Sequence, residues 1–420
     1  MSAVAILMGL ALLTMVVAPL RDDLAAWAWG WWLLAALAAF ALGPRRPLPV
    51  LRRTMAPAVL CLLVACLIDL AMGAWHREGW NTMRQDGKVL LMLPIIWALM
   101  GATSQAAGSS RLAQGHAGHI HGLNLREALG WALGLQLLVA AAVAFIWPRA
   151  WLPATSIPWA TALALGMAVL APLVLGNDEG EPAGAAWRMG LALAVAAGAV
   201  AVVLSRSRAA WVVLPWLMVL VVVFSRNRLH ASLGALGVAA ALLGAGLWYD
   251  SQQPVQVERG VRLLDLLQEL ASAGQPDAGT SVGSRLLLWQ AAWESLWAGP
   301  WAGIGLAERV ALVQRVVPPE QLSGVAPLVH VHQQFLNQAV DHGLAGLAAS
   351  LLCAAAPWAL AWRAQGSVMR WQFIGIGVVH TVGLMFNANM THGTYAMHYA
   401  LSLGAVLLMH GHVLRKGPHG

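Results

Sequence analysis

Two arginines near the middle of the chain have side chains suited to binding a phosphate group. Arg206 and Arg208 lie in the seven-residue joint 205–211, between two apolar helical runs. A guanidinium donates paired hydrogen bonds to phosphate oxygens and stays charged at any physiological pH. The pair therefore predicts an anion site. The structural alternative is a pair of arginines that only extend from helix ends towards water.

Two more cations are candidates for the same site. Arg285 begins an apolar helical pattern at 284–297, and with Arg208 it would form a two-pronged clamp on a diphosphate. Such a clamp neutralises the charge that grows on a leaving group, which a divalent metal does elsewhere. Lys88 follows a polar stretch at the outer end of an apolar run. Either residue could instead be a surface cation that extends into water.

A histidine segment follows at 329–337, and it predicts general-base chemistry. His332 is the candidate base, because an imidazole with a pKa near neutrality takes a proton from a hydroxyl nucleophile. His330 and Gln333 beside it are predicted to bind substrate. No metal site is predicted, since neighbouring positions on a helix point apart. A histidine that only supports the structure is the alternative, and the outer polar stretch 387–398 is equally open to substrate contact or to a solvated turn.

The elements that must position these residues are membrane helices. The 420 residues are 59% hydrophobic and only 10% charged. Helices are the open-ended elements that satisfy their backbone in lipid, and a span needs about 20 apolar residues. The sequence predicts an all-α polytopic membrane protein of about twelve transmembrane helices. The predicted spans are 4–20, 24–42, 54–73, 89–107, 128–147, 159–176, 187–204, 210–224, 229–248, 344–362, 371–386 and 396–414.

The distribution of Lys and Arg predicts the orientation. Positive charge is retained in short cytoplasmic loops, and the bias favours both termini on the cytoplasmic side. Three regions follow: transmembrane helices 1 to 9 at 1–248, a large helical periplasmic loop at 249–343, and transmembrane helices 10 to 12 with a cytoplasmic tail at 344–420. The net charge of +7 is explained by inner-loop arginines, so nucleic acid is not an expected partner.

The periplasmic loop is predicted to contain four helices. The first is an amphipathic helix at 257–272, and Gly, Pro and Ser residues separate it from helices at 284–297 and 307–317. The last begins near Val329, is interrupted at His342 and Gly343, and continues into the tenth span. The loop therefore carries Arg285 and His332, whereas Arg208 lies between the seventh and eighth spans.

The motifs occur in a defined order. Ser-Arg-Ala-Ala stands at 207–210, Arg285 precedes Trp289, Gly-Pro-Trp-Ala-Gly-Ile-Gly stands at 299–305, and His332 precedes Gly343 and Gly346. Their order around one large outer loop resembles the O-antigen ligase and polymerase superfamily. Where that family often has Asn after the histidine, this chain has Gln333, so the contact of that position is open.

The resemblance implies an O-antigen ligase of lipopolysaccharide biosynthesis, a metal-independent glycosyltransferase of the GT-C type without a cofactor. Its location would be the bacterial inner membrane, with the active site facing the periplasm. The donor would be a glycan on undecaprenyl diphosphate, and the acceptor the lipid A-core oligosaccharide. Carried over by motif, Arg208 and Arg285 would hold the diphosphate and His332 would activate the acceptor.

Other functions stay open on the same motifs. An O-antigen or exopolysaccharide polymerase would use the same donor with a second lipid-linked repeat as acceptor. A protein O-oligosaccharyltransferase is a third candidate. A lipid or solute transporter could use the arginines as a binding site, although no inverted repeat of the kind common in carriers is visible.

Overall fold

The computed structural model describes residues 3–21, 23–42, 49–78, 80–108, 119–120, 123–147, 156–175, 184–225, 227–251, 276, 281–317, 328–411 and 414. Its strands are two dipeptides, β1 (His119–Ile120) and β2 (Leu123–Asn124), which pair antiparallel. The first helices are α1 (Ala3–Val17), α2 (Leu24–Leu42), α3 (Pro49–Trp75), α4 (Trp80–Gly108), α5 (Leu125–Ile146) and α6 (Ser156–Leu175). They are followed by α7 (Ala185–Leu204), α8 (Arg208–Trp211), α9 (Val213–Phe224) and α10 (Arg228–Ser251).

The remaining helices cover the segment predicted as the periplasmic loop, which keeps the name outer loop from that prediction, and the last three predicted spans. They are α11 (Ser281–Ala298), α12 (Gly305–Val316), α13 (Gln334–Arg363), α14 (Ser367–Phe386) and α15 (Gly393–Met409). Short 3₁₀ turns follow α1 at Ala18–Leu20 and α14 at Asn389–Thr391. The predicted amphipathic helix at 257–272 lies outside the described residues.

The predicted fold class is confirmed. Each predicted apolar segment coincides with a helix, the eighth being divided between α8 and α9. Within the described residues, eight helices are long and apolar enough to cross a membrane, and the apolar stretches Ala209–Phe224 and Gly393–Met409 are shorter. The chain is therefore an all-α, multi-pass membrane protein.

Burial separates the central helices from those that face lipid. Most residues of α6 and almost every residue of α15 are buried in the protein. On α10, in contrast, Leu229, Leu233 and Leu236 are exposed. Apolar side chains on the outside of a bundle are what a hydrocarbon environment favours, since lipid provides no water for polar groups.

Packing at the two ends of α9 shows on which face Arg208 lies. Phe224 ends α9 and packs against Trp371, near the start of α14, with ring centroids 5.4 Å apart. At the other end of α9, α8 contacts α14 as well. Helices α9 and α14 therefore run antiparallel. Arg208, at the start of α8, lies towards the C-terminal end of α14.

The outer loop has a small hydrophobic core of its own. Leu288 and Ala292 of α11, Val313 of α12 and Val340 of α13 are buried together, with Val331 between the elements. The loop helices α11 and α12 both pack against α13. This core holds the segment before α13, which carries His330 and His332, against the rest of the loop.

Two predictions about α13 have different outcomes. The helix was expected to begin near Val329, but it begins at Gln334, because the Gln333 side chain caps it by accepting a hydrogen bond from Leu336 N–H. The expected interruption is confirmed. His342 and Gly343 have non-helical backbone angles, so α13 consists of two helical parts joined at this break.

Candidate active site

His332 lies in a short segment whose backbone is held from both sides. The Trp289 indole Nε1–H donates to the Val331 carbonyl at 3.1 Å, and the Val331 N–H donates to Asn337 Oδ1 at 3.2 Å. Both polar groups of the preceding residue are thereby satisfied away from the helix. His332 itself has a left-handed φ of 56°, which is uncommon for a residue other than glycine. These contacts hold that backbone conformation in place.

The ring of His332 contacts a residue that is 55 positions later in the sequence. His332 Nδ1 lies 3.0 Å from Oδ1 of Asn387, the C-cap residue that follows α14. Asn387 Nδ2 donates to Asn389 Oδ1 at 2.7 Å, and Asn389 Nδ2 donates to the Gly383 carbonyl at 3.0 Å. Asn387 and Asn389 are both buried. The site therefore joins the outer loop to the turn between α14 and α15.

Arg285 lies one helical turn before Trp289 on α11, and its charge acts on His332. Burial disfavours the charged imidazolium, and the positive charge of Arg285 adds to this effect, so the pKa of His332 falls to about 4. At neutral pH the ring is therefore uncharged and has one nitrogen that can accept a proton.

Two further histidine rings lie beside His332. His330 and His392 stack edge to face, with ring centroids 5.4 Å apart. Burial, together with the positive charge of Arg309, lowers the pKa of His330 to about 3. Burial also lowers the pKa of His392. All three imidazoles are therefore uncharged at neutral pH. Uncharged rings of this kind can exchange hydrogen bonds with sugar hydroxyls.

A buried ion pair contacts the backbone next to the histidine segment. Arg309 Nε lies 2.6 Å from Asp341 Oδ1, and the Arg309 guanidinium also donates to the Val329 carbonyl. Asn337 Nδ2 contacts the other Asp341 oxygen at 3.4 Å. One guanidinium thus connects α12, α13 and the chain just before His330.

The glycines of the site allow two backbones to meet. Ile304 N–H donates to the Val340 carbonyl at 2.8 Å, and Leu344 N–H donates to the Pro300 carbonyl at 2.7 Å. Gly303 (φ 68°) and Gly343 (φ 64°) lie at this junction. A Cβ on either glycine would overlap the opposite backbone. The loop 299–305 is therefore packed directly into the break of α13.

The turn between α3 and α4 fastens this junction to the membrane helices. His342 Nε2 lies 3.3 Å from Glu78 Oε2, and the Leu306 N–H donates to the other Glu78 oxygen. His76 Nε2 lies 2.6 Å from the Ala302 carbonyl. Burial alone would raise the pKa of Glu78, but the hydrogen bonds from His342 and Leu306 outweigh it and lower that pKa.

Residues 193–351 match a family model described as O-antigen ligase. The match covers less than half of the chain, and over this segment the chain is similar to that family. The match confirms the resemblance found in the motifs and supports an assignment to the ligase and polymerase family. It also indicates a glycosyltransferase-like enzyme that acts on lipid-linked glycans in a membrane. A comparison with curated proteins found no match.

The matched segment includes all of the motifs discussed above, and the geometry gives several of their residues a role. Trp289 holds the Val331 carbonyl, the 299–305 glycines admit the break of α13, and Gly346 leaves room for the Gln338 backbone. Gln333 caps α13 through its side-chain oxygen, so this part of its amide serves the helix rather than a substrate.

The remaining predicted site residues are Arg206, Arg208 and Lys88. Arg206 is half-buried in the joint after α7 with φ 54°, and Arg208 begins α8, although the side chain of Arg208 lies outside what the structure describes. Lys88 Nζ donates to Gln85 Oε1 at 3.0 Å. Gln85 faces Gly393, which follows His392, so Lys88 lies near the same end of the bundle.

Several residues of the site were not predicted from the sequence. Asn387 and His392 fell only within a polar stretch with two open interpretations, and Arg309 and Asp341 had no assigned role. Among the described residues, no group of three or more His, Cys, Asp or Glu side chains is arranged to hold a metal ion.

Proposed function

We propose that this protein is an O-antigen ligase, which transfers a glycan from undecaprenyl diphosphate to a sugar hydroxyl of the lipid A-core oligosaccharide. In this proposal the site faces the periplasm, the protein lies in the bacterial inner membrane, and both termini are cytoplasmic. The observation that supports it best is an uncharged, oriented His332 beside Arg285 within the segment that matches the family.

His332 would act as the general base. Its Nε2 takes the proton of the acceptor hydroxyl as the acceptor oxygen bonds to the anomeric carbon of the donor glycan. The bond from that carbon to the phosphate oxygen breaks, and undecaprenyl diphosphate departs with the electron pair. General-base catalysis of this kind contributes about 10²- to 10⁴-fold to a rate.

Arg208 and Arg285 would bind the departing diphosphate. Its negative charge increases as the glycosidic bond breaks, so fixed guanidinium groups stabilise the transition state more than the bound donor. With this charge neutralised by arginine, the proposed reaction needs no divalent metal. Arg206, Lys88 and the rings of His330 and His392 would contact the donor or the acceptor around this centre.

The direct test uses purified protein with a lipid-linked glycan and lipid A-core. The variant His332→Ala should transfer glycan at least about 100-fold more slowly than wild type, with both substrates still bound. The matched control is His230→Ala, because His230 is an exposed side chain at the start of α10. Transfer by His332→Ala at the wild-type rate would show that the base is elsewhere. A transporter would form no new glycosidic bond in this assay.

A polymerase is the second candidate, because the ligase and polymerase share the matched family. The lipopolysaccharide of a deletion strain separates the two. Loss of a ligase leaves bare core, with long glycans still on the carrier lipid. Loss of a polymerase leaves core capped by a single repeat.

A further inference from the structure

The His332 ring is attached to a chain of three hydrogen bonds whose direction can be determined. A histidine can carry its single neutral-state proton on either ring nitrogen, and the partner of each nitrogen decides which form is present. The partner of Nδ1 is the Asn387 amide, at 3.0 Å. An amide alone does not decide the matter, since its oxygen and nitrogen can exchange places by rotation.

The far end of the chain removes this ambiguity. The Gly383 carbonyl can only accept hydrogen bonds, and it lies 3.0 Å from the Asn389 amide, which must therefore turn its NH₂ group towards it. The Asn389 oxygen then faces Asn387 at 2.7 Å, so Asn387 must also present its NH₂ group there. The Asn387 oxygen is left facing His332, and it can only accept.

We propose that Asn387 and Asn389 are positioning residues that hold the His332 proton on Nδ1, so that Nε2 is the nitrogen that receives the proton of the acceptor hydroxyl. The inference rests on the proposed function for the role of Nε2, but the tautomer itself does not depend on it. The reverse tautomer would set a ring lone pair against the Asn387 oxygen, and rotation of the Asn387 amide would set two oxygens against each other.

Burial makes this series of hydrogen bonds able to fix the position of the His332 proton. Asn387 is 2% exposed and Asn389 0%, so water cannot easily replace a lost partner. A separate contact keeps the two segments in register, because the Met390 N–H donates to Gln334 Oε1 at 3.0 Å. Both asparagines lie beyond residue 351, where the family match ends, so this support comes from outside the matched segment.

An uncharged partner also keeps His332 easy to deprotonate. A carboxylate in place of the Asn387 amide would still accept from Nδ1–H, but it would stabilise the imidazolium and raise the pH at which the ring loses its proton. The amide orients the ring without this effect. The substitution Asn387→Asp therefore separates orientation from charge.

The kinetic test compares Asn387→Ala, Asn387→Asp and Asn389→Ala in the purified transferase reaction over a range of pH. Asn387→Ala should lower kcat about tenfold to a hundredfold with little change in KM, because the base is present but poorly oriented. Asn387→Asp should keep more activity than Asn387→Ala, and its loss of activity on acidification should begin at least about one pH unit higher than in wild type. Asn389→Ala should fall between wild type and Asn387→Ala.

Gln334→Ala is the matched control for a purely structural effect. It removes the contact with Met390 between the same two segments but leaves the His332 contact in place. The pH dependence of its activity is compared with that of Asn387→Asp, since only Asn387→Asp should shift it. If all these variants lose activity to a similar extent without a change in pH dependence, the asparagines only stabilise the fold and the proposal is wrong.

Solid-state ¹⁵N NMR of histidine-labelled protein tests the tautomer without any activity measurement. The signals absent from a His332→Gln sample belong to His332, and their shifts distinguish protonated Nδ1 from protonated Nε2. A proton on Nε2 overturns the proposal even if the protein is a ligase. A proton on Nδ1 in a protein without transferase activity overturns the proposed function and leaves the tautomer assignment standing.

Discussion

Arg309 and Asp341 form an ion pair of 2.6 Å whose side chains are almost completely buried. The pair lies next to the segment that carries His330 and His332. Because the same guanidinium also holds the Val329 carbonyl, the pair connects the fold of the outer loop to the position of the candidate base. Removing one member would leave the other as an uncompensated buried charge.

Removal of one partner should therefore destabilise the loop strongly. We expect Arg309→Ala to cost about 3–5 kcal/mol, as for other broken buried pairs, and the double change of Arg309 and Asp341 to Leu to recover part of this. Thermal unfolding in detergent, followed by tryptophan fluorescence, measures the effect. The exposed pair Arg21 and Asp23 is the control, and Arg21→Ala should cost at most about 1 kcal/mol. Equal effects at the two pairs would contradict this account.

The pH dependence of transfer should reflect the depressed pKa of His332. Since kcat/KM reports the free enzyme, it should stay level through neutral pH and fall only as the pH approaches about 4, where His332 takes up a proton. The sign follows from the mechanism, because a base acts only in its unprotonated form.

Two substitutions of Arg285 separate its charge from its geometry. Arg285→Gln removes the charge that disfavours the imidazolium, so the fall in kcat/KM should begin at higher pH than in wild type. Arg285→Lys keeps the charge, and the fall should stay near its wild-type position. Both should lose rate, and Gln should lose on the order of 3 kcal/mol of transition-state stabilisation. The same profile for both variants would show that Arg285 does not act on His332.

Local sequence patterns predicted the helices because lipid imposes one simple requirement, a long apolar run, and each such run became a helix. They also predicted the break at His342, since the glycine after it needs backbone angles that other residues rarely adopt. The start of α13 was predicted wrongly. The residues just before Gln334 are not helical, because Trp289 and Asn337 satisfy the Val331 backbone outside a helix.

The contact between His332 and Asn387 could not be predicted in the same way. The two residues are 55 positions apart, and the helices α13 and α14 lie between them. Apolar periodicity describes which side of a helix is buried, but it carries no information about which polar side chains meet at the ends of separate helices. Arg309 and Asp341 were missed for the same reason, since their pairing depends on how α12 packs against α13.

The junction of the two glycine motifs should tolerate no side chain. Gly343 has φ 64° and ψ −151°, a conformation essentially limited to glycine, and a Cβ there would overlap the Trp301 backbone. Gly343→Ala should therefore lose at least about 1–3 kcal/mol of stability from the backbone strain alone. Thermal unfolding and membrane yield measure this loss. Gly30→Ala in α2, where a Cβ meets nothing within 4 Å, should be close to neutral. A stable Gly343→Ala protein would show that the two backbones can separate at little cost.

The contact of Glu78 with His342 and the Leu306 N–H should make the docking of the outer loop depend on pH. The pKa of Glu78 in the folded protein lies below its usual value of 4.5, so the folded state favours the ionised carboxylate. The resulting stabilisation is fully present above pH 4.5, and it is lost as the pH falls through the lower, folded-state pKa. Glu78→Gln should therefore lower the unfolding temperature at neutral pH, and the difference from wild type should shrink on acidification.

Glu294→Gln is the control, because Glu294 accepts only an exposed contact from Gln290 in the described structure. A difference between Glu78→Gln and wild type that stays constant down to pH 3 would mean that the charge of Glu78 does not fasten the loop.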